Sequence, residues 1–245
     1  MLNKKFAAVV LGAGKGSRMK SDLPKALMPV CGKPMIKHIL DTLDGMGAEK
    51  IVVVTAPDGE NVRKEVLPHP SCIQQKQLGT ADAVLAARDA LKGFDGRVMV
   101  VYCDHPIITA ETFKRAVSKL DEGYSIVVLG FTPDDALRYG RLKMKNGELE
   151  KIVEFKDATD EEKAIKFCNS GVMAFDGKVM FDILDKISNN NAAGEYYLTD
   201  AIEIARAMGL KCSAIETSPE EVAGANTQEE LHQLEEYLRH RNLGK

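Results

Sequence analysis

The chain has 245 residues, 44% of them hydrophobic, which is enough for one large domain or for a domain carrying a smaller lobe. Its formal net charge of −3 argues against a nucleic-acid binder held by bulk electrostatics, so any basic site must be local. No apolar run approaches the roughly 18 residues of a membrane-span candidate, and the five cysteines, Cys31, Cys72, Cys103, Cys168 and Cys212, are scattered without zinc-ligand spacing, as expected for a reducing cytoplasm.

The opening MLNKKFAAVVLGAG superficially resembles a signal peptide. Its apolar stretch is short and runs into glycines and charge, so it reads as a buried first strand. Directly after it, LGAGKGSRMKSDLPK (residues 11–25) crowds glycines, lysines and an arginine together. Free backbone N–H donors with Arg18 and Lys25 suit a polyanion such as a triphosphate, and Pro24 restrains the chain before Lys25. The loop alone is a weak signal. Gly12, Gly14 and Gly16 match neither Gly-x-Gly-x-x-Gly nor Gly-x-x-x-x-Gly-Lys-Ser/Thr, and a plain strand-to-helix connection stays open.

Next, PMIKHILDTLDGMG predicts a helix with Pro34 in its first turn and Met35, Ile36, Ile39, Leu40 and Leu43 on one face. KIVVVTA, RVMVVYC and YSIVVLGF, like FAAVVL, are short, β-branched and continuously apolar. That pattern predicts strands covered on both faces in a mainly parallel sheet. TADAVLAARDALKG and TAETFKRAVSKLDEG predict helices, each opening with a threonine able to cap. Near residue 139 the pattern changes. In RLKMKNGELEKIVEF, Asn146-Gly147 separates two alternating runs and predicts a hairpin. A strand (IKFCNSGVMAF) and a helix (KVMFDILDKI) follow. The last predicted helix is TQEELHQLEEYLRHR, with Thr227 and Glu230 as a capping box and Leu231, Leu234 and Leu238 as its apolar stripe. The fold class is therefore α/β, a Rossmann-like core with a mixed, mainly parallel sheet and a smaller β lobe. Ligands in such sheets bind outside the carboxyl ends of the strands.

Several motifs share one resemblance. LGAGKGSRMKSDLPKALMPVCGKPM resembles the signature of the sugar-phosphate nucleotidylyltransferases, Leu-x-x-Gly-x-Gly-Thr/Ser-Arg-Met followed by Leu-Pro-Lys. QQKQLGTADAV and VYCDHPII are similar to segments of the N-acetylglucosamine-1-phosphate uridylyltransferases. YGRLKMKNGELEKIVEFKDAT, NSGVMAF, NNNAAGEYYLTD and VAGANTQEEL match later family segments in the same order. The likeness runs from about residue 6 to residue 236.

The resemblance implies a reaction between UTP and N-acetylglucosamine 1-phosphate giving UDP-N-acetylglucosamine and pyrophosphate, with Mg²⁺ as cofactor, in the cytoplasm, and with neither nucleic acid nor membrane as a partner. It implies phosphate contacts from Arg18 and Lys25, nucleotide contacts from Leu11, Gly12, Ala13 and Gly14, and a uracil pocket from Gln74, Gln77, Gly79 and Thr80. Asp104 and Asn226 become the metal ligands. Tyr102, Cys103, Gly140, Glu154 and Asn169 face the sugar, with Tyr197 and Thr199 on the same wall. On residue type alone, Gln74 and Gln77 also read as surface glutamines, Asp104 as a strand-end turn former, Asn226 as a pre-helix loop residue and Glu154 as part of a solvated strand. The implied organisation is a single nucleotidyltransferase domain over 1–245. Its nucleotide-binding part spans about 1–135, its sugar-binding lobe about 136–225 and its C-terminal helix 227–241. The better-known family members also carry a hexapeptide-repeat β-helix for acetyl transfer. No such repeats occur up to Lys245, so no C-terminal β-helix is expected. Two departures stand out: Gly12 replaces the family's usual Ala, and Cys103 replaces a Gly beside the ligand. The same chemistry on another sugar 1-phosphate or nucleoside triphosphate, or a non-catalytic sugar-nucleotide binding module, are the competing readings.

Overall fold

The computed structural model describes residues 5–243 apart from positions 15, 17, 18, 20, 22 and 137. In chain order the elements are β1 (Phe6–Gly12), β2 (Pro29–Val30), β3 (Lys33–Pro34), α1 (Met35–Gly45), β4 (Lys50–Thr55), α2 (Glu60–Glu65), β5 (Ser71–Ile73), α3 (Thr80–Leu85), β6 (Arg97–Tyr102), α4 (Ala110–Asp121), β7 (Ile126–Phe131), β8 (Arg141–Lys145), β9 (Glu148–Val153), α5 (Asp160–Lys163), β10 (Cys168–Asp176), α6 (Gly177–Leu184), α7 (Ala201–Ala207), β11 (Cys212–Glu216) and α8 (Gln228–Leu243).

The main sheet runs β11-β7-β10-β6-β1-β4-β5. β1 is parallel to β4 and β6, β4 to β5, and β7 to β11, whereas β10 is antiparallel to both β6 and β7. This is the mixed, mainly parallel sheet that the apolar runs predict. Period-two alternation explains why those runs are continuous. Ala7, Val9 and Leu11 of β1 pack on one face with α3, α6 and α7, while Phe6, Ala8 and Val10 pack on the other with α1 and α4.

The hairpin β8–β9 turns at Asn146-Gly147, where both residues have positive φ (52° and 80°). It belongs to the same sheet, because Cys168 at the start of β10 pairs with Phe131 of β7 and with Arg141 of β8. Within the predicted lobe of 136–225 the hairpin thus extends the sheet from the start of β10, while β10 and β11 lie in the main sheet on either side of β7. A third cluster pins α8: Leu231, Leu234 and Leu238 bury against Met19, Met28, Val30, Met35 and Ile107. Burying a leucine contributes about 2 kcal/mol of transfer free energy, which holds a helix with a polar outer face in place. Among the described residues, no helix is long and apolar enough to cross a membrane.

Some local expectations change. The helix predicted from Thr80 ends at Leu85. Beyond it the backbone tightens into i→i−3 bonds and a 3₁₀ turn at Asp89–Leu91, which buries Ala87 and Leu91. Thr80 does not cap this helix. Its Oγ1 accepts instead from Leu198 N at 2.9 Å, and Gly79 holds the cap position. Thr109 does cap α4. Only half of the α8 capping box forms: Glu230 N donates to Thr227 Oγ1, but the Glu230 carboxylate reaches past Thr227 to the backbone N–H of Asn226. Pro34 precedes the first helical residue of α1 by one position.

At the amino end of β6, buried Arg97 ties three elements together. It donates to Asp121 Oδ1 at 2.9 Å and to Leu120 O, and it pairs with Asp176 Oδ2 at 2.7 Å. Removing one member of a buried ion pair strands the others, so Arg97→Met costs about 3 kcal/mol, the low end of the usual range because both carboxylates stay partly wetted. Urea unfolding of the two proteins, compared at constant m-value, measures it.

Candidate active site

The carboxyl ends of β1 and β6 open together on a cavity of about 470 Å³. Leu11, Ala13 and Gly14 line it from the first loop, and Gln74, Gln77, Gly79 and Thr80 line it from the segment after β5. Gly12 stands behind this wall: a Cβ on it would lie 3.3 Å from Val54 O, so the backbone of β4 already fills that side. Arg18 lies outside the described residues.

The segment carrying Gly79 is stitched to the chain before α7. Tyr196 N donates to Leu78 O, Ala81 N donates to Tyr196 O, and Leu198 N donates to Thr80 Oγ1. Gly79 is required there. Its φ is 129°, and a Cβ would stand 2.5 Å from Tyr196 O. The two predicted base-reading glutamines both donate within the protein. Gln74 Nε2 donates to Gly79 O and Asp82 Oδ2, and Gln77 Nε2 donates to Ala13 O. The donor half of the Gln74 amide is therefore committed to the protein.

Lys25, Asp104 and Asn226 converge although they are far apart in sequence. The Lys25 ammonium donates to Asp104 Oδ2 and, at 2.9 Å, to Asn226 Oδ1. Asp104 stands just beyond β6, and Gly224 makes room for it, since a Cβ there would lie 3.1 Å from Asp104 Oδ2. Burial raises the Asp104 carboxyl, but the attraction of His105 and Lys25 outweighs it and holds the group below the ordinary carboxylate value. His105 is itself kept neutral by burial, so near neutral pH Lys25 is the partner that keeps Asp104 ionised. One carboxylate and one amide oxygen aimed at a single point already held by a cation form a hard-oxygen donor pair. This fits a Mg²⁺ that takes its remaining ligands from water and phosphate. Among the described residues there is no cluster of three or more His, Cys, Asp or Glu able to hold a metal.

A second cleft of about 270 Å³ adjoins the first and shares Tyr102 and Asp104 with it. Gly140, Glu154 and Asn169 line it, from the hairpin and β10. Asn169 sits at a bulge in β10, where Asn169 N donates to Gly140 O and Asn169 Oδ1 accepts from Gly171 N. Gly171 has φ 87°, and the Tyr102 ring packs where its Cβ would be. Burial raises the Glu154 carboxyl, although Thr199 Oγ1 donates to it at 3.1 Å. Thr199 is thus a buttress of Glu154. Tyr197 lines a separate acidic cleft with Asp157 and Asp200 on the far side of Glu154. Cys103 lines the first cavity and not the second; burial and Asp104 push its thiol up to about 12, so it is a neutral apolar wall.

Several lining residues were not among the predicted site residues. Lys76 and Glu195 reach the first cavity, and Arg138 and His105 reach the second. Lys76, Glu195 and His105 each stand inside a motif quoted above, QQKQLGTADAV, NNNAAGEYYLTD and VYCDHPII, whereas Arg138 stands outside them.

Residues 8–152 match the family model of the MobA-like NTP transferase domain. The chain is 48% identical over 239 residues to the bifunctional protein GlmU of Rhodospirillum rubrum, covering 97% of this chain and 54% of that protein. It is also 48% identical over 229 residues to the bifunctional protein GlmU of Ruegeria sp., covering 92% and 51%. The chain spans about half the length of the curated relatives it matches. A Bacillus anthracis structure assigned as a glucose-1-phosphate thymidylyltransferase, solved with sucrose, superposes with a TM-score of 0.78 over 96% of this chain and 95% of that one. Their identity is 21%, so this likeness speaks to the fold.

Two expectations follow from the geometry. Because the Lys25 ammonium occupies the point where Asp104 and Asn226 converge, Lys25→Met binds Mn²⁺ several-fold more tightly than the parent protein in the absence of nucleotide. Electron paramagnetic resonance of free Mn²⁺ reads this directly, and equal or weaker binding would show that the ammonium does not guard the site. Because the folded Glu154 carboxyl titrates above its unfolded value, its contribution to stability is full at acid pH and is lost as pH rises through the folded pKa. Glu154→Gln therefore melts higher than the parent at neutral pH, and the gap closes towards pH 4. A pH series of melting curves with no such convergence would refute the assignment.

Proposed function

This chain belongs to the MobA-like NTP transferase family and is a nucleotidyltransferase; on that footing we propose that it joins UTP to N-acetylglucosamine 1-phosphate, giving UDP-N-acetylglucosamine and pyrophosphate. The observation that carries this reading is the pair of clefts meeting at Asp104 and Tyr102, one for a nucleotide and one for a sugar phosphate. The motifs shared with the uridylyltransferases, and the extended identity to proteins called GlmU, support this substrate pair over others. In this reading residues 1–135 serve the nucleotide, and the hairpin region of 136–225 serves the sugar. The free cysteines suit a reducing cytoplasm.

The sugar phosphate is already an anionic nucleophile. One of its oxygens forms a bond to the α-phosphorus of UTP while the bond to the β-phosphate oxygen breaks, and pyrophosphate leaves with that electron pair. No proton moves at the reacting centre, so the protein needs neither a nucleophile nor a strong base. Its work is positioning and charge neutralisation. Lys25 supplies a fixed cation at the junction of the clefts. The glycine loop offers backbone N–H donors to the phosphates. Glu154 and Asn169 accept from and donate to the sugar's hydroxyl and amide groups, while Tyr102 walls off both substrates. Mg²⁺, held by Asp104 and Asn226, supplies further positive charge for the phosphates when bound.

The test is pyrophosphate release over a grid of nucleoside triphosphates and sugar 1-phosphates, with UTP and N-acetylglucosamine 1-phosphate expected to be the best pair. Asp104→Asn keeps the shape and removes the charge. It loses on the order of 10²-fold in turnover and needs more Mg²⁺ for half-maximal rate. Superimposable Mg²⁺ titrations for variant and parent would remove Asp104 from the metal site.

A further inference from the structure

The nucleotide cavity contains a side chain whose orientation is chemically determined. Gln74 is 5% exposed, and both hydrogens of its amide nitrogen have acceptors, Gly79 O at 2.9 Å and Asp82 Oδ2 at 2.8 Å. A carbonyl and a carboxylate can only accept. Turning the amide half a revolution would set Gln74 Oε1 against two oxygens and leave three acceptors facing one another without a proton, a costly arrangement in a buried place. The same Asp82 oxygen also accepts from Leu78 N at 3.2 Å, so the carboxylate is anchored from a second side.

What remains of the amide is Oε1. It accepts no hydrogen bond within the described residues, nor is it sealed off. The buried side-chain nitrogen or oxygen left without a partner there is His105 Nδ1, so Gln74 Oε1 keeps contact with solvent, and the side chain that carries it lines the cavity. Gln77 gives one hydrogen of its Nε2 to Ala13 O. At Gln74 the wall therefore presents an acceptor where the sequence reading expected a donor and an acceptor together.

Resting on the nucleotide assignment above, we propose that Asp82 is a positioning residue that fixes the Gln74 amide, so that its oxygen reads a hydrogen at N3 of the pyrimidine. Uracil carries that hydrogen. Cytosine carries a lone pair at N3, which would face the lone pairs of Oε1. Asp82 touches neither substrate; it acts through Gln74. Nucleotide choice in this chain thus depends on a carboxylate behind the base-reading residue as well as on that residue.

The experiment measures kcat/KM for UTP and CTP, and calorimetric binding of UTP, CTP and N3-methyl-UTP in the absence of sugar phosphate. The parent enzyme prefers UTP to CTP by at least about 100-fold, the scale for a site left with an unmatched polar group. In Asp82→Ala this ratio falls by roughly tenfold or more, through a rise in KM for UTP with kcat and the KM for sugar phosphate little changed. Asp82→Asn keeps an oxygen at the same point and restores most of the preference. A merely structural role would lower activity with both nucleotides together and leave their ratio alone. An unchanged UTP/CTP ratio in folded Asp82→Ala overturns the proposal. If that variant does not fold, equal binding of UTP and N3-methyl-UTP by the parent overturns it instead. Absence of turnover with UTP, alongside calorimetry that still prefers UTP to CTP and N3-methyl-UTP, sinks the reaction assigned above and upholds this inference.

Discussion

A single ammonium group holds the site together. Lys25 reaches Asp104 and Asn226 at once, bonding residues 79 and 201 positions away in the chain. The glycine loop, the end of β6 and the approach to α8 therefore meet at one charged point. That point lies at the rim of both clefts, and its partly buried geometry keeps Asp104 ionised in spite of desolvation. Each supporting feature serves this meeting: α8 anchored by three leucines carries the Asn226 loop, Gly224 gives space to the carboxylate, and the rigid β6 fixes where the carboxylate begins.

Much of the fold was legible because its strands are buried on both faces. FAAVVL, KIVVVTA, RVMVVYC and YSIVVLGF could hardly be anything but central strands, and Asn146-Gly147 marked the hairpin. The elements that escaped were brief or lacked a pattern. β5 has three residues, the β2–β3 ribbon has two on each side, and β11 is an edge strand whose alternation is unremarkable. The helix after Thr80 was overextended because the composition of its second half is helical, whereas packing tightens it into a 3₁₀ turn.

The candidate site was legible in a different way. The residues themselves pointed to an anion at the first loop and little more. The pairing of Asp104 with Asn226 and the sugar-side set came from the resemblance of whole motifs. Contacts decided the finer points: Thr80 serves the 196–198 segment instead of capping, Thr199 buttresses Glu154, and Cys103 faces the first cavity. The orientation of Gln74 could not have been read from the sequence, since it depends on a backbone carbonyl and on Asp82 arriving at the same nitrogen. Arg138 had no sequence signal at all; it stands in an ordinary polar turn that happens to border the second cleft.

The contact between Gly171 and the Tyr102 ring limits how descendants of this chain can diverge. The backbone at Gly171 is left-handed, and the ring occupies the space of a Cβ, so any other residue there pushes at a ring that lines both clefts. A lineage cannot enlarge or reshape the second cleft from this wall without disturbing the first cavity as well. Drift in the shape of the second cleft is instead channelled to positions that do not line the first cavity, such as Arg138, where a change of side chain leaves the shared partition standing.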